Sequence, residues 1–251
     1  MWFGVASLFP TFFTPLMSSG VVGNALQAGL IQLVVESPRD YAPDPQRTVD
    51  DRPYGGGPGM VLKAPPLWAA IERLKEAAPV KPLLIYFTPG GAVLDQQLVQ
   101  ELRSYPALLL IAGRYEGIDQ RIINSTVDRE ISIGDYVLSG GELPALVLID
   151  ALARWVPGVL GHSGSATQDA FSHQQGGLDH PHYTRPAIWQ GQAVPQPLLS
   201  GDHKAIARWR KQQALGETWL KRPELLKDKV LSEEEQQLLE AYLWENKYSK
   251  Y

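Results

Sequence analysis

Two uninterrupted apolar runs, Leu83-Leu84-Ile85-Tyr86-Phe87 and Leu108-Leu109-Leu110-Ile111-Ala112, constrain this chain more than anything else in it. Each has the length of a strand and no polar alternation, the pattern of strands covered on both faces in a parallel sheet. Parallel neighbours need a crossover, and Leu94, Leu98 and Leu102, spaced as on one face of a helix, supply it. Each run passes straight into glycine-bearing sequence, Thr88-Pro89-Gly90-Gly91 after the first and Gly113-Arg114-Tyr115-Glu116-Gly117 after the second. A third unit, Glu130-Ile131-Ser132-Ile133-Gly134-Asp135-Tyr136-Val137-Leu138, ends at Ser139-Gly140-Gly141-Glu142. There Ser139 and Glu142 have the capping-box spacing for a helix running to Trp155, ahead of Pro157-Gly158.

Residues 2–9 and 30–35 read as further short buried strands. Pro38 to Pro66 is dense in Pro, Gly and Asp, and its centre, Tyr54-Gly55-Gly56-Gly57-Pro58-Gly59-Met60, reads as a loop because neither helix nor central strand tolerates that composition. A helix with Leu67, Ile71, Leu74 and Ala78 on one face follows. Gly161 to Gly177 is polar and poor in large apolar residues, a linker expected to be disordered on its own. The remainder reads as helical: Ile206 and Trp209 share a face, Ser232 and Glu235 repeat the capping-box spacing, and Leu238, Leu239, Tyr242 and Leu243 form a stripe. The expected organisation is an α/β domain over 1–160, its parallel sheet covered by helices on both faces, then a linker over 161–178 and a small all-α domain over 179–251.

With 251 residues, 44% apolar and 20% charged, the chain can bury a sizeable core. It contains no cysteine, which excludes disulfides, thiolate zinc sites, iron–sulfur clusters and a cysteine nucleophile, and fits a reducing compartment. The start, Met1-Trp2-Phe3-Gly4, has no secretory pattern, and no apolar run approaches the roughly 18 residues of a membrane span, so a cytoplasmic protein without a membrane partner is expected. A net charge of −4 argues against nonspecific coating of nucleic acid. That sum hides a basic stretch at 202–229, where Lys204, Arg208, Arg210, Lys211, Lys221, Arg222, Lys227 and Lys229 outnumber Asp202, Glu217, Glu224 and Asp228.

In open parallel sheets ligands bind outside the carboxyl ends of the strands. Loops 86–91, 113–117 and 133–141 should therefore converge, with Tyr86, Tyr115 and Tyr136 as flat packing surfaces, on a pocket for a flat, polar small molecule. One glycine loop alone needs to be no more than a tight turn; three in succession point to a site. The chain has no G-x-G-x-x-G at a first strand–helix turn and no G-x-x-x-x-G-K-[ST], so dinucleotide and P-loop chemistry lack a basis. Its histidines, His162, His173, His180, His182 and His203, avoid the HExxH pattern. The pair in His180-Pro181-His182 reads as packed or solvated before it reads as metal-binding, and no metal site is assigned.

Four segments carry a resemblance: Tyr54-Gly-Gly-Gly-Pro-Gly-Met60, Ala112-Gly-Arg-Tyr-Glu-Gly-Ile-Asp119, Ser132-Ile-Gly-Asp-Tyr-Val-Leu-Ser-Gly-Gly-Glu142 and Asp179-His-Pro-His-Tyr-Thr-Arg185. With Arg208-Trp209-Arg210 and Thr218-Trp219-Leu220-Lys221-Arg222-Pro223, they resemble the bacterial tRNA (guanine-37-N1)-methyltransferase family of the SPOUT class over nearly the whole chain. The resemblance implies a deep trefoil knot at the sheet edge, S-adenosylmethionine as methyl donor, and tRNA with guanine at position 37 as substrate. It implies a donor site formed by Tyr86, Phe87, Thr88, Pro89, Gly91, Gly113, Tyr115, Glu116, Gly117, Ile133, Gly134, Asp135, Tyr136, Val137, Leu138, Gly140 and Gly141, with backbone groups of Ile133, Tyr136 and Leu138 on the adenine and Gly113 near the ribose. This chain departs from the family's usual pattern with Thr88-Pro89-Gly90-Gly91-Ala92 in place of Ser-Pro-Gln-Gly-Arg, Ala112 in place of a frequent cysteine, and Ala170 in place of a frequent serine.

Guanine N1 carries a proton, so methylation there needs a base to remove it and a group to stabilise charge developing on O6. By resemblance these are Asp169 and Arg154; on sequence alone Asp169 reads as a solvated linker aspartate and Arg154 as an i,i+4 partner of Asp150. RNA contact is expected from Gly59 in the glycine loop and from Lys204, Arg208, Arg210 and Lys211. The family also implies a homodimer whose site is shared between subunits, and a magnesium requirement with Glu116 as candidate participant. The competing readings are a SPOUT methyltransferase acting on another nucleotide and a noncatalytic RNA-binding module that retains the pocket.

Overall fold

The two apolar runs become neighbouring strands at the heart of a parallel sheet in the computed structural model, which describes residues 1–161, 169–171, 176–227 and 229–248. Residues up to 163 form one compact unit and residues from 164 a second. In chain order the first unit contains β1 (Trp2–Ala6), α1 (Thr14–Ser18), α2 (Gly20–Gln27), β2 (Gln32–Glu36), β3 (Asp50–Asp51), β4 (Val61–Leu62), α3 (Ala64–Ala77), β5 (Leu83–Val93), α4 (Gln96–Leu102), β6 (Ala107–Ile111), α5 (Gln120–Thr126), β7 (Arg129–Ser132) and α6 (Glu142–Ala153). The sheet runs β2-β1-β6-β5-β7 with every pairing parallel.

β6 shows why continuous apolarity was needed. Leu108 and Leu110 pack on one face with Leu148, Ile149 and Leu152 of α6, while Leu109 and Ile111 pack on the other with Leu67, Ile71 and Leu74 of α3. All are buried, and each such side chain contributes roughly 1.5–3 kcal/mol relative to exposure. A polar residue anywhere along this strand would face a helix instead of water.

Three local expectations are corrected. The segment 88–91 is not a loop beyond the end of β5 but an excursion within it: Phe87 and Ala92 both register with Ile131 of β7, and the chain bulges out between them. Pro89 lacks a donor for regular pairing, and Gly91 passes so close to the backbone of Glu130 and Ile131 that a Cβ would collide with it. The third unit is strand only from Arg129 to Ser132; residues 133–141 are irregular, because Gly134, at φ 141°, takes a backbone that side-chain-bearing residues rarely adopt. Finally, Ser139 and Glu142 form no capping box. Gly141 is the N-cap of α6 without any side-chain cap, and the Glu142 carboxylate turns into the interior, where charged and hydroxyl partners await it.

The expected capping box does form at the other site. Ser232 N–H donates to Glu235 Oε2 at 2.9 Å, and Glu235 N–H donates to Ser232 Oγ at 3.2 Å, opening the helix Glu233–Tyr248. This second unit also holds the helix His203–Lys221, started by Asp202, whose carboxylate accepts from the Lys204 and Ala205 N–H groups. The two helices pack through Leu215, Leu238, Leu239 and Tyr242. Gly216 leaves the space that the Tyr242 ring occupies, and the Tyr242 hydroxyl donates to Glu217 Oε1 at 3.0 Å; burial, with that carboxylate beside it, pushes the phenol up to about 12. The linker expected at 161–178 lies mostly outside the described residues.

Gly216→Ala is expected to put a methyl group into the Tyr242 ring and cost the helix pair about 1–3 kcal/mol. Amide exchange should accelerate along both C-terminal helices and stay unchanged in β1, β5 and β6. Unaltered exchange in the helices would show that they do not pack there.

Candidate active site

The sheet topology brings the loops after β6 and β7 and the β5 excursion to one edge, and together they wall a cleft of about 260 Å³. Of the side chains expected there, Tyr86, Phe87, Thr88, Pro89, Gly113, Tyr115, Glu116, Gly117, Ile133, Gly134, Tyr136, Val137, Leu138, Gly140 and Gly141 line it. Gly91 and Asp135 do not: Gly91 lies against the β7 backbone, and Asp135 is exposed. Tyr86 forms a buried wall, its phenol held above the usual range chiefly by that burial, so it is a neutral hydroxyl at physiological pH. Tyr136 is half exposed and donates its hydroxyl to the Ile133 carbonyl at 3.1 Å, bracing the third loop.

The glycines here are spatial requirements. A Cβ on Gly113 would come within 2.8 Å of the Tyr86 ring, and one on Gly141 within 2.7 Å of the Ala112 Cα. Their absence lets Gly141 N–H donate to the Gly113 carbonyl at 2.9 Å and leaves backbone groups bare along the cleft. Such a surface presents N–H and C=O groups to a planar polar ligand, which fits an adenosyl group.

Residues that sequence reasoning missed sit at the floor. Arg114 Nε donates to Glu142 Oε2 at 2.8 Å, its Nη1 donates to the Ser139 carbonyl and hydroxyl, and Ser7 Oγ donates to Glu142 Oε1 at 2.7 Å. The available signal was an arginine in one glycine-bearing loop and a glutamate at the helix start that follows the other.

The glycine loop belongs to the same edge. β3 pairs antiparallel with β4, Glu116 N–H donates to the Met60 carbonyl, and Leu62 N–H donates to the Gly117 carbonyl. Gly59 thereby lies against the Glu116 side chain, and Tyr54 is fully exposed. Arg154 is the C-cap residue of α6 in the first unit. Asp169 is in the second, at the rim of a cavity of about 640 Å³ that it shares with Asp179, His180, Arg210 and Thr218.

Of the expected RNA-contacting cations, Lys204, Arg208 and Arg210 are exposed and make no ion pair among the described residues, whereas Lys211 is held by Glu234 at 3.0 Å. Lys221 and Arg222 are likewise paired, with Glu217 and Glu224. The positive face is therefore concentrated in the first half of the helix His203–Lys221. Nearby, Asp179 accepts from His180 Nδ1 at 2.7 Å and contacts His182 Nε2 at 3.0 Å. Ligand atoms of these three residues lie within 4.8 Å of one another, but the carboxylate is engaged by both rings, and the adjacent Arg210 charge opposes a further cation.

Fold and site together define an α/β protein with a glycine-rich cleft at one edge of a parallel sheet and, in its second unit, a basic helix. The sequence pattern of the family described as "tRNA (Guanine-1)-methyltransferase TrmD" matches residues 1–228. A tRNA (guanine-N(1)-)-methyltransferase of Pseudoalteromonas atlantica is 54% identical over 241 residues, 96% of this chain and 90% of that one. Its counterpart in Vibrio vulnificus is 52% identical over 250 residues and the full length of both, and the Proteus mirabilis protein is 53% identical over 246 residues, 98% of each. The chain belongs to this SPOUT-class tRNA methyltransferase family.

The His180 environment yields a pH prediction. Burial, opposed by Asp179 and reinforced by the charges of His182 and Arg210, holds the imidazole below its ordinary 6.5. As pH falls through about 6.5 the unfolded chain takes up this proton first, so the second unit is expected to lose stability below that pH and to be insensitive to this group above it. Thermal unfolding of wild type and His180→Asn between pH 8 and 5 checks this: the variant should lack part of the acid-side slope.

Proposed function

We propose that this chain transfers a methyl group from S-adenosylmethionine to N1 of guanine at position 37 of tRNA. The observation that carries the reading is the meeting of three glycine-bearing loops on one backbone-lined cleft in a chain of this family. Tyr86, Gly113, Tyr136, Leu138 and Gly141 would hold the adenosyl group, which fits walls kept free of side chains where the two loops touch. The donor supplies an electrophilic methyl carbon bound to a sulfonium.

The protein must then make N1 nucleophilic. Asp169 takes the N1 proton, which frees the ring lone pair to form the new bond to carbon, and the Arg154 guanidinium stabilises the negative charge that moves onto O6. Lys204, Arg208 and Arg210 bind phosphates, and the target base leaves its stack to enter the cleft. Residues 161–178 act as the linker that carries the base, and the site assembles only on the correct substrate. A magnesium requirement belongs to the same reading with Glu116 as participant, and one carboxylate alone makes no metal site.

The reading also includes a trefoil knot at these loops, supported by the bridge between Arg114 and Gly140 that lays the third loop on the second. It includes a homodimer with a shared active site. Support for the dimer is the exposure of Phe9, Phe12, Met17 of α1, Val21 of α2, and Leu143 and Val147 of α6, large apolar side chains in a region where α1 packs on α2 and α2 on α6. A cytoplasmic location belongs to the same reading: a tRNA substrate supports it, and no described helix is long and apolar enough to cross a membrane.

Asp169→Ala is expected to abolish methyl transfer to a transcript with guanine at 37 while donor affinity, read by equilibrium dialysis, stays within about twofold. Wild-type turnover would remove Asp169 as base. Label entering a transcript with adenine at 37 would favour a different target nucleotide, and no transfer to any transcript would favour a binding module. Reversing Arg208 and Arg210 to glutamate should weaken tRNA binding and flatten its salt dependence, whereas reversing the already paired Lys221 and Arg222 should do less. Equal effects of the two double variants would place the contact elsewhere.

A further inference from the structure

Glu142 is a fully buried charge behind the first unit's cleft, joined to the lining residue Arg114, and the methyl-transfer chemistry makes no use of it. Its carboxylate is wholly inaccessible, and the Arg114 side chain is only 14% exposed. An isolated carboxylate in that position would be prohibitive, so its partners have to be supplied, and the three residues involved come from three parts of the chain. Ser7 lies just after β1, Arg114 follows β6, and Glu142 opens α6. Arg114 also reaches the Ser139 carbonyl at 3.0 Å and hydroxyl at 3.2 Å. Its guanidinium occupies the space that a side chain at Gly140 would need, and it stacks 4.5 Å from the Phe9 ring centre.

We propose that Arg114 and Glu142 are the positioning pair of the donor site: one guanidinium, anchored from beneath by the buried carboxylate, sets the separation of the 113–117 and 133–141 walls and so the fit of the adenosyl group. The proposal rests on the reading that this cleft holds the donor. The arrangement depends on the planar fork of arginine, which bonds the carboxylate from one edge and the Ser139 backbone from another; a lysine ammonium has one point of attachment and cannot span both. The pair touches no reacting atom. Its effect is therefore expected in donor affinity and not in the rate at saturation.

The experiment measures S-adenosylmethionine binding by equilibrium dialysis, and KM and kcat for both substrates with a guanine-37 transcript. Arg114→Lys should weaken donor binding about tenfold, with kcat at saturating donor and KM for the transcript near wild type. Ser7→Ala removes one bond to Glu142, leaves the ion pair intact and should weaken donor binding about threefold. Should Arg114→Lys fail to fold, the double variant Arg114→Met with Glu142→Gln removes both charges together, a change that folded proteins commonly tolerate, and should show the same selective loss. Wild-type donor affinity in Ser7→Ala and in either Arg114 variant, or equal losses for donor and transcript, would overturn the proposal. Leu138→Trp fills the cleft without touching the pair. If it leaves donor binding intact, the underlying site assignment fails; if it abolishes binding while the Arg114 variants bind normally, only the positioning role fails.

Discussion

A carboxylate that no water reaches organises the edge of this sheet. Glu142 would be intolerable without Arg114 and Ser7, and satisfying it forces the end of β1, the loop after β6 and the start of α6 to one point. The rest of the cleft follows from that meeting. With Arg114 lying across the bare backbone of Gly140, the third loop is drawn against the second, and Gly141 N–H finds the Gly113 carbonyl. Where these two loops meet the wall is main chain, which a planar polar ligand can read without side chains in the way.

The sheet was legible because burial on two faces leaves an unmistakable pattern. Leu108 to Ile111 could be placed between two helix layers from the sequence, and α3 and α6 supply those layers. The edge was harder to read. Ser139 and Glu142 match the capping-box spacing as well as Ser232 and Glu235 do, yet only the second pair caps a helix. The difference lies in tertiary surroundings: Glu235 reaches the free N–H of Ser232 and has Lys229 3.5 Å away, whereas Glu142 is claimed by the guanidinium of Arg114, 28 residues away in sequence but adjacent in space. Spacing rules describe local competition and cannot see a long-range competitor.

The candidate catalytic pair was invisible to physical reading for a related reason. Asp169 and Arg154 have no motif between them, one carried in each compact unit, and only likeness to a family singled them out. By contrast, the basic stretch was visible as composition, and the structure narrowed it. Ion pairs at Lys211, Lys221 and Arg222 neutralise much of its second half, which leaves the start of the helix His203–Lys221 as the charged face. A charge count along the sequence overstates the field because it ignores who sits beside whom.

The short β3–β4 pairing has a consequence for how the glycine loop can behave. The Met60 carbonyl accepts from Glu116 N–H and Leu62 exchanges hydrogen bonds with Gly117 and Asp119, which fixes one side of the loop's base, and the antiparallel partner fixes the other. The tip at Tyr54 to Gly59 is thus free to change shape but not to wander, like a handle pinned at both ends. Grasping a large substrate with such a tethered tip forfeits far less disorder than recruiting a dangling arm, so a stretch this rich in glycine can also be a less costly point of contact.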